Sequence, residues 1–224
     1  MQTPQSRYLN KSAGTTTMTE ATRETSLGTD EVDAAVSQVF GLYEDFGEAD
    51  YLGEAVTQVQ HALQAAHLAE KEGFPVQVVL GALLHDVGHL AGQREGQQTP
   101  RMVTQGVTLG VAQHEVLGEE YLKDLGFPSD VTHFVRSHVE AKRFLVASDS
   151  NYYQGLSDAS KKTLEHQGGP MTQAEMESFK THPQFKSSLR MREWDDKAKN
   201  PTAVTPTLDY YRQMCYDYLL QRNR

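Results

Sequence analysis

The chain has 224 residues, 38% of them hydrophobic and 23% charged, a length that buries a core for one domain. Its 30 acidic and 21 basic residues give a formal charge of -9, which argues against an extended nucleic-acid footprint while leaving room for a local cationic pocket. Cys215 is the only cysteine, so neither an intramolecular disulfide nor a thiolate metal cage can form, and no apolar run approaches the ~18 residues of a membrane span.

Residues 1–30 are rich in Thr, Ser, Gly and Ala and carry few large apolar groups, so they read as an arm or lid ahead of a catalytic domain over 31–224. The polar start lacks a secretory core, and the expected location is cytoplasmic. Val32, Ala35, Val36, Val39 and Phe40 are spaced for an amphipathic helix over 31–43. A second helix is predicted over about 54–70, with His61 at its centre and Gly73-Phe74-Pro75 as its stop. Pro75 opens a third, whose buried stripe Val76, Val79, Leu80, Leu83 and Leu84 runs up to His85. Residues 91–100 are polar and read as a loop, and a helix over 111–125 carries His114 near its start. After Gly126-Phe127-Pro128, a helix over 129–144 supplies His133 and His138. The stretch 152–170 is less periodic and ends in the breaker Gln167-Gly168-Gly169-Pro170; helices follow over 171–179, about 182–195 and 208–220. The expected fold is all-α, with little place for strands.

Chemistry enters with Leu83-Leu84-His85-Asp86-Val87-Gly88-His89. With His61 ahead and His114, His138 and Asp195 behind, the chain offers a series of nitrogen and oxygen ligands on separate helices. Asp86 has two carboxylate oxygens and can join two cations about 3.5–4 Å apart. Imidazole and carboxylate donors without thiolate fit iron or manganese better than structural zinc. The spacing of His85 and His89 puts both on one helical face, with Asp86 turned to its edge. The bland alternative is that His85 and His89 are core or capping histidines; the paired His-Asp and the downstream histidines weigh against it. His67, His133, His166 and His182 read as packing or surface groups. Asp196 is the neighbour that competes with Asp195 as a ligand, and Trp194 is placed to orient Asp195.

The ordered series His61, His85-Asp86, His114, His138 and Asp195 resembles the ligand series of HD-domain proteins, helical metal-dependent phosphohydrolases with a smaller group of diiron oxygenases. Tyr51-Leu52-Gly53-Glu54, His61-Ala62-Leu63-Gln64 and the run from Leu83 to His89 narrow the resemblance to PhnZ-type organophosphonate oxygenases. These mixed-valent diiron enzymes use O2 to cleave the carbon–phosphorus bond of 1-hydroxy-2-aminoethylphosphonates. The resemblance implies an HD-type helical bundle with one iron held by His61, His85, Asp86 and Asp195 and the other by Asp86, His114 and His138. It also implies that Tyr51 is a provisional ligand that gates oxygen access and that Glu54 recognises an amine. A small-molecule organophosphonate would be the partner, supplied by a 2-oxoglutarate-dependent hydroxylase, with no nucleic acid or membrane involved.

A phosphonate dianion needs donors. His89, Lys142 and Arg192, each three or four residues from a ligand, match family residues of similar role, and Ser160 and Gln167 are further candidates for hydrogen bonds to its oxygens. The acidic, aromatic segment from Tyr43 to Tyr51 is suited to enclosing a quaternary ammonium, which favours 1-hydroxy-2-(trimethylammonio)ethylphosphonate, yielding glycine betaine and phosphate, over the primary amine, yielding glycine. The competing readings are a phosphate-ester hydrolase using metal-bound water, a cyclitol oxygenase, and a catalytically silent HD-type regulatory module. Tyr51 and Glu54 weigh against hydrolysis, because activating water needs neither.

Overall fold

The computed structural model describes residues 27–51 and 53–222; most of the expected N-terminal arm lies outside the described residues. Helix α1 (Thr29–Phe46) buries Val32, Ala35, Val36, Val39 and Phe40, the stripe expected from their spacing. Helix α2 (Gln58–Lys71) starts later than its sequence suggests, because Thr57 caps it reciprocally with Gln60. Residues 54–57 instead form a turn ahead of it, leaving Glu54 outside the helix.

Pro75 sits at the N-cap of α3 (Val76–Leu84), which is apolar nearly all round and lies at the centre of the bundle, as a helix without a polar face must. It packs against α2, against α6 (Ser129–Ser148), against α10 (Phe185–Lys197) and against α11 (Leu208–Arg222). Helix α3 stops at Leu84, and α4 (Val87–Arg94) begins after a break at His85-Asp86. Carbonyls left open by that break find buried partners: Leu83 accepts from the Tyr43 hydroxyl at 2.8 Å, and Ala82 from His85 Nδ1 at 2.8 Å.

Two expectations need correction. Residues 91–100 are not all loop, since α4 runs to Arg94 and a 3-10 turn covers Gly96–Gln98. Strands do occur: β1 (Arg101–Thr104) and β2 (Val107–Val111) form an antiparallel hairpin, which delays α5 (His114–Asp124) to His114 itself. Gln105 and Gly106 both take positive φ (51° and 80°), the geometry of a two-residue hairpin turn. The aperiodic stretch holds two short helices, α7 (Ser150–Gly155) and α8 (Asp158–His166). Helix α9 (Gln173–Lys180) docks Phe179 on the end of α6 through a small cluster of Ala141, Phe144 and Met171. No helix among the described residues is long and apolar enough to cross a membrane.

Candidate metal centre

The break at His85-Asp86 is what builds the site. Asp86 leaves helical geometry at φ −102° and ψ 9°, so its carboxylate points across the bundle rather than along a helix face. Gly88, two residues on, lets α5 approach: an added Cβ would stand 1.9 Å from the His114 carbonyl oxygen and 2.8 Å from the Gly118 nitrogen. Gly88→Ala is expected to cost roughly 1–3 kcal/mol by overpacking. Thermal denaturation should show a drop of about 5 °C; an unchanged melting temperature would mean that α5 retreats freely.

Six buried side chains converge from five places: His61 on α2, His85 and Asp86 at the break, His114 opening α5, His138 on α6 and Asp195 on α10. They form two donor sets, His61–His85–Asp195 and Asp86–His114–His138, with ligand atoms in each within 4.8 Å of one another. Asp86 lies between the sets. Its Oδ2 is 3.3 Å from His85 Nε2 and 3.7 Å from His61 Nε2, while Oδ1 is 3.4 Å from both His114 Nε2 and His138 Nε2. Asp195 Oδ1 closes the first set at 3.4 Å from His61 Nε2.

The outer partners of the imidazoles define what these atoms can do. His61, His85 and His138 donate from Nδ1 to the carbonyls of Ala198, Ala82 and Val135 at 2.9, 2.8 and 2.7 Å. A ring protonated at Nδ1 and neutral presents a bare lone pair at Nε2, the arrangement of a metal-binding histidine. Yet Nε2 of His61 faces Nε2 of His85 at 3.1 Å, and Nε2 of His114 faces that of His138 at 3.0 Å. The facing lone pairs of His61 and His85 repel unless a proton or a metal ion lies between them, and about 3 Å is also the separation of adjacent donors around an ion with ~2.1 Å bonds. Charge agrees. Burial opposes ionisation of Asp86, but His85, with hydrogen bonds from His114 and His85, holds it well below the usual carboxylate range. Burial likewise depresses His85, yet Asp86 and Asp195 outweigh it and lift that imidazole to about 9, so the carboxylates draw a proton onto Nε2, the atom that a metal ion would otherwise bind. Two buried carboxylates therefore demand positive charge at this point, and the donors fit a pair of metal ions.

A cleft opens over the centre, and every expected site residue except His61 and His85, which lie beneath it, lines this space. Tyr51 is buried, stacks on His61 with ring centroids 3.8 Å apart, and lines the cleft beside Asp86. Burial, then the charges of Asp86 and Asp195, push its phenol well above 10. His89 is not on a common helical face with His85, because the break intervenes; it stacks on His114 instead, at 3.9 Å. Its Nδ1 accepts from the Val111 N–H at 3.1 Å, which leaves a buried, unpartnered Nε2–H as a donor. Gln167 Oε1 is likewise buried without a partner.

Lys142 is buried and donates to the Thr163 hydroxyl at 3.1 Å; burial, reinforced by Arg192, lowers its amine to about 7. Ser160 sits in the first turn of α8, where its hydroxyl accepts from Ser157 at 3.2 Å. Arg192 binds Asp195 and Asp196 and donates to the Tyr152 hydroxyl at 3.0 Å. This removes Asp196 as a competing ligand and steadies Asp195. Trp194 is fully buried, edge-on to Phe74 at 4.8 Å. The remaining histidines lie elsewhere: His133 stacks on His182 at 3.7 Å, His166 pairs with Thr104, and His67 lies 3.8 Å from Glu70.

Sequence reasoning missed Thr163 and Lys199. Thr163 follows Ser160 by three positions, but its helix was not anticipated. Lys199 follows Asp195 by four, but α10 ends at Lys197, so helical spacing gives no reason to place it in the cleft.

The HD domain matches residues 58–177 of the chain. An uncharacterised protein of Acanthamoeba polyphaga mimivirus is 40% identical over 184 residues, covering 82% of this chain and 81% of its own. The glycine-betaine-forming [1-hydroxy-2-(trimethylamino)ethyl]phosphonate dioxygenase of Leisingera caerulea is 38% identical over 176 residues, covering 79% of this chain and 85% of its own. The hydroxymethylphosphonate dioxygenase of Gimesia maris is also 38% identical over 176 residues, covering 79% and 84%. On this match and these relatives, the chain belongs to the HD-domain family and is related within it to phosphonate dioxygenases.

Proposed function

We propose that the protein is a diiron oxygenase that cleaves the carbon–phosphorus bond of a 1-hydroxylated alkylphosphonate with O2, giving phosphate and a carboxylate. The observation that carries this reading is Tyr51, a buried phenol stacked on His61 and set close to the Asp86 carboxylate in the lining of the cleft. Hydrolysis by metal-bound water has no use for a phenol there, whereas oxygen chemistry needs a group that holds a position closed until substrate arrives. Bound at the two donor sets, a mixed-valent Fe(II)/Fe(III) pair would supply the redox chemistry with O2. His61, His85, Asp86 and Asp195 would hold one iron, and Asp86, His114 and His138 the other.

The chain's own groups do the rest. The unpartnered His89 Nε2–H and the Lys142 amine are the donors for the phosphonate oxygens, and Ser160 and Gln167 can complete the cradle. Arg192, which also lines the cleft, neutralises Asp195 and Asp196. Such burial excludes bulk water, which strengthens each charged contact. The required 1-hydroxyl would be installed by a preceding 2-oxoglutarate-dependent hydroxylase. Among substrates, the sequence reading puts the trimethylammonio compound first, with its primary-amine analogue giving glycine; relatives named for trimethylammonio and for nitrogen-free substrates match this chain to the same extent.

The test is phosphate release by iron-loaded protein from hydroxymethylphosphonate, the trimethylammonio compound and its primary-amine analogue, with and without O2. Release is expected only with O2. No release from any of them by protein holding two irons, together with oxygen-independent hydrolysis of a phosphate ester, would return the chain to the hydrolase reading.

A further inference from the structure

Among the described residues lining the cleft, the carboxylates are Asp86, Asp195 and Glu54. The first two belong to the donor sets, so Glu54 alone is left to meet a cationic nitrogen on a substrate. It is already paired: Lys199 Nζ donates to Glu54 Oε1 at 2.8 Å and to the Ser157 hydroxyl at 3.3 Å. Both side chains are mostly withdrawn from solvent, 16% exposed for Lys199 and 18% for Glu54. The pair joins the turn before α2 to the segment after α10, and Ser157 ties it to the N-cap of α8. Burial raises the Glu54 pKa, but the hydrogen bond and charge of Lys199 outweigh that and keep the carboxylate ionised.

We propose that Lys199 is a specificity-determining residue: by neutralising Glu54 it directs the cleft to 1-hydroxyphosphonates without a cationic nitrogen, such as hydroxymethylphosphonate. The proposal rests on the phosphonate reading and replaces its trimethylammonio preference. An ammonium entering the cleft must break the Lys199–Glu54 pair and leave the displaced lysine ammonium beside a second cation. A nitrogen-free substrate meets neither cost. The cations divide accordingly: Arg192 is held by Asp195 and Asp196, Lys199 by Glu54, and Lys142, whose hydrogen bond goes to the neutral Thr163 hydroxyl, is left for the phosphonate.

The experiment measures kcat/KM of the iron-loaded protein for hydroxymethylphosphonate and the trimethylammonio compound, and anaerobic binding of each by calorimetry, in wild type, Lys199→Met and Lys199→Arg. Wild type is expected to prefer hydroxymethylphosphonate in both measurements. Lys199→Met should shift both ratios toward the cationic substrate by about tenfold or more, equivalent to 1.4 kcal/mol, and Lys199→Arg should hold them near wild type. Adding Glu54→Gln to Lys199→Met should remove the gain, which separates a charge effect from a change of shape. A wild-type preference for the trimethylammonio compound, or unchanged ratios in a folded Lys199→Met, overturns the proposal. Binding with the expected preference but no phosphate release sinks the oxygenase reading while upholding Lys199; binding of neither phosphonate sinks both.

Discussion

Asp86→Ala should reduce the metal held by the proposed diiron centre from two ions per chain to one or fewer and abolish the proposed oxygen-dependent phosphate release. The expectation comes from what each donor set keeps. Without Asp86, the first set retains His61, His85 and Asp195, enough to hold a single ion. The second retains only His114 and His138, two neutral imidazoles with no carboxylate to offset a cation's charge. Affinity at that position should fall by well over the ~10–100-fold that loss of an outer hydrogen-bond partner produces. Asp86→Asn is the informative companion, since it keeps the shape and one acceptor oxygen but loses the charge and the symmetric reach to both sets. It should bind the second ion weakly if at all. Metal analysis after gel filtration checks stoichiometry, and circular dichroism checks that the helices persist. Two tightly held ions in Asp86→Ala would remove Asp86 from its bridging position.

The reach of the sequence can be judged from the same residues. Helices with one apolar stripe were legible because burial selects the 3.6-residue period: α1 buries each residue of its expected stripe. The donor series was legible because six histidines and aspartates drawn from five places along the chain have little structural reason to recur together. Three features were not, each for its own physical cause. His85 and His89 seemed to share a face because periodicity cannot reveal a break at Asp86, where the chain is held by a tertiary hydrogen bond from Tyr43 and a local one from His85 to Ala82 rather than by a proline or glycine. The hairpin β1–β2 escaped because its strands are four and five residues long and its turn is Gln105-Gly106, a weaker signal than Asn-Gly. Its alternation is nevertheless real, with Met102 3% and Val103 50% exposed. Lys199 escaped because it approaches Glu54 across 145 positions of chain from beyond the end of a helix, a contact no local pattern encodes.

Lys142→Met should make the protein more heat-stable near pH 6 while weakening phosphonate binding about 10–100-fold, the worth of a charge-assisted hydrogen bond. Both effects follow from a lysine placed in the interior with a neutral hydroxyl as partner. Burial and the nearby Arg192 lower its folded-state pKa from 10.5 to about 7, against the partial support of Asp195, Asp196 and Asp86. Between those values the unfolded chain binds more protons than the folded one, so stability should rise with pH from about 7 to 10.5. Below pH 7 the amine is charged in place, at an order-of-magnitude cost of about 5 kcal/mol. Methionine removes that cost at similar length, and recovering even half of it would raise the melting temperature by roughly 5 °C or more. The advantage should shrink as pH climbs through that window. Substrate reverses the balance: a phosphonate dianion against Lys142 favours the ammonium, so binding at pH 8 should take up close to one proton, and at pH 6 far less. Calorimetry in buffers of different ionisation enthalpy reads this uptake directly. Equal uptake in wild type and Lys142→Met, or a variant that melts lower at pH 6, would show that the buried amine is there for packing; the expected pair of results would mark it as stability given up for an anion site.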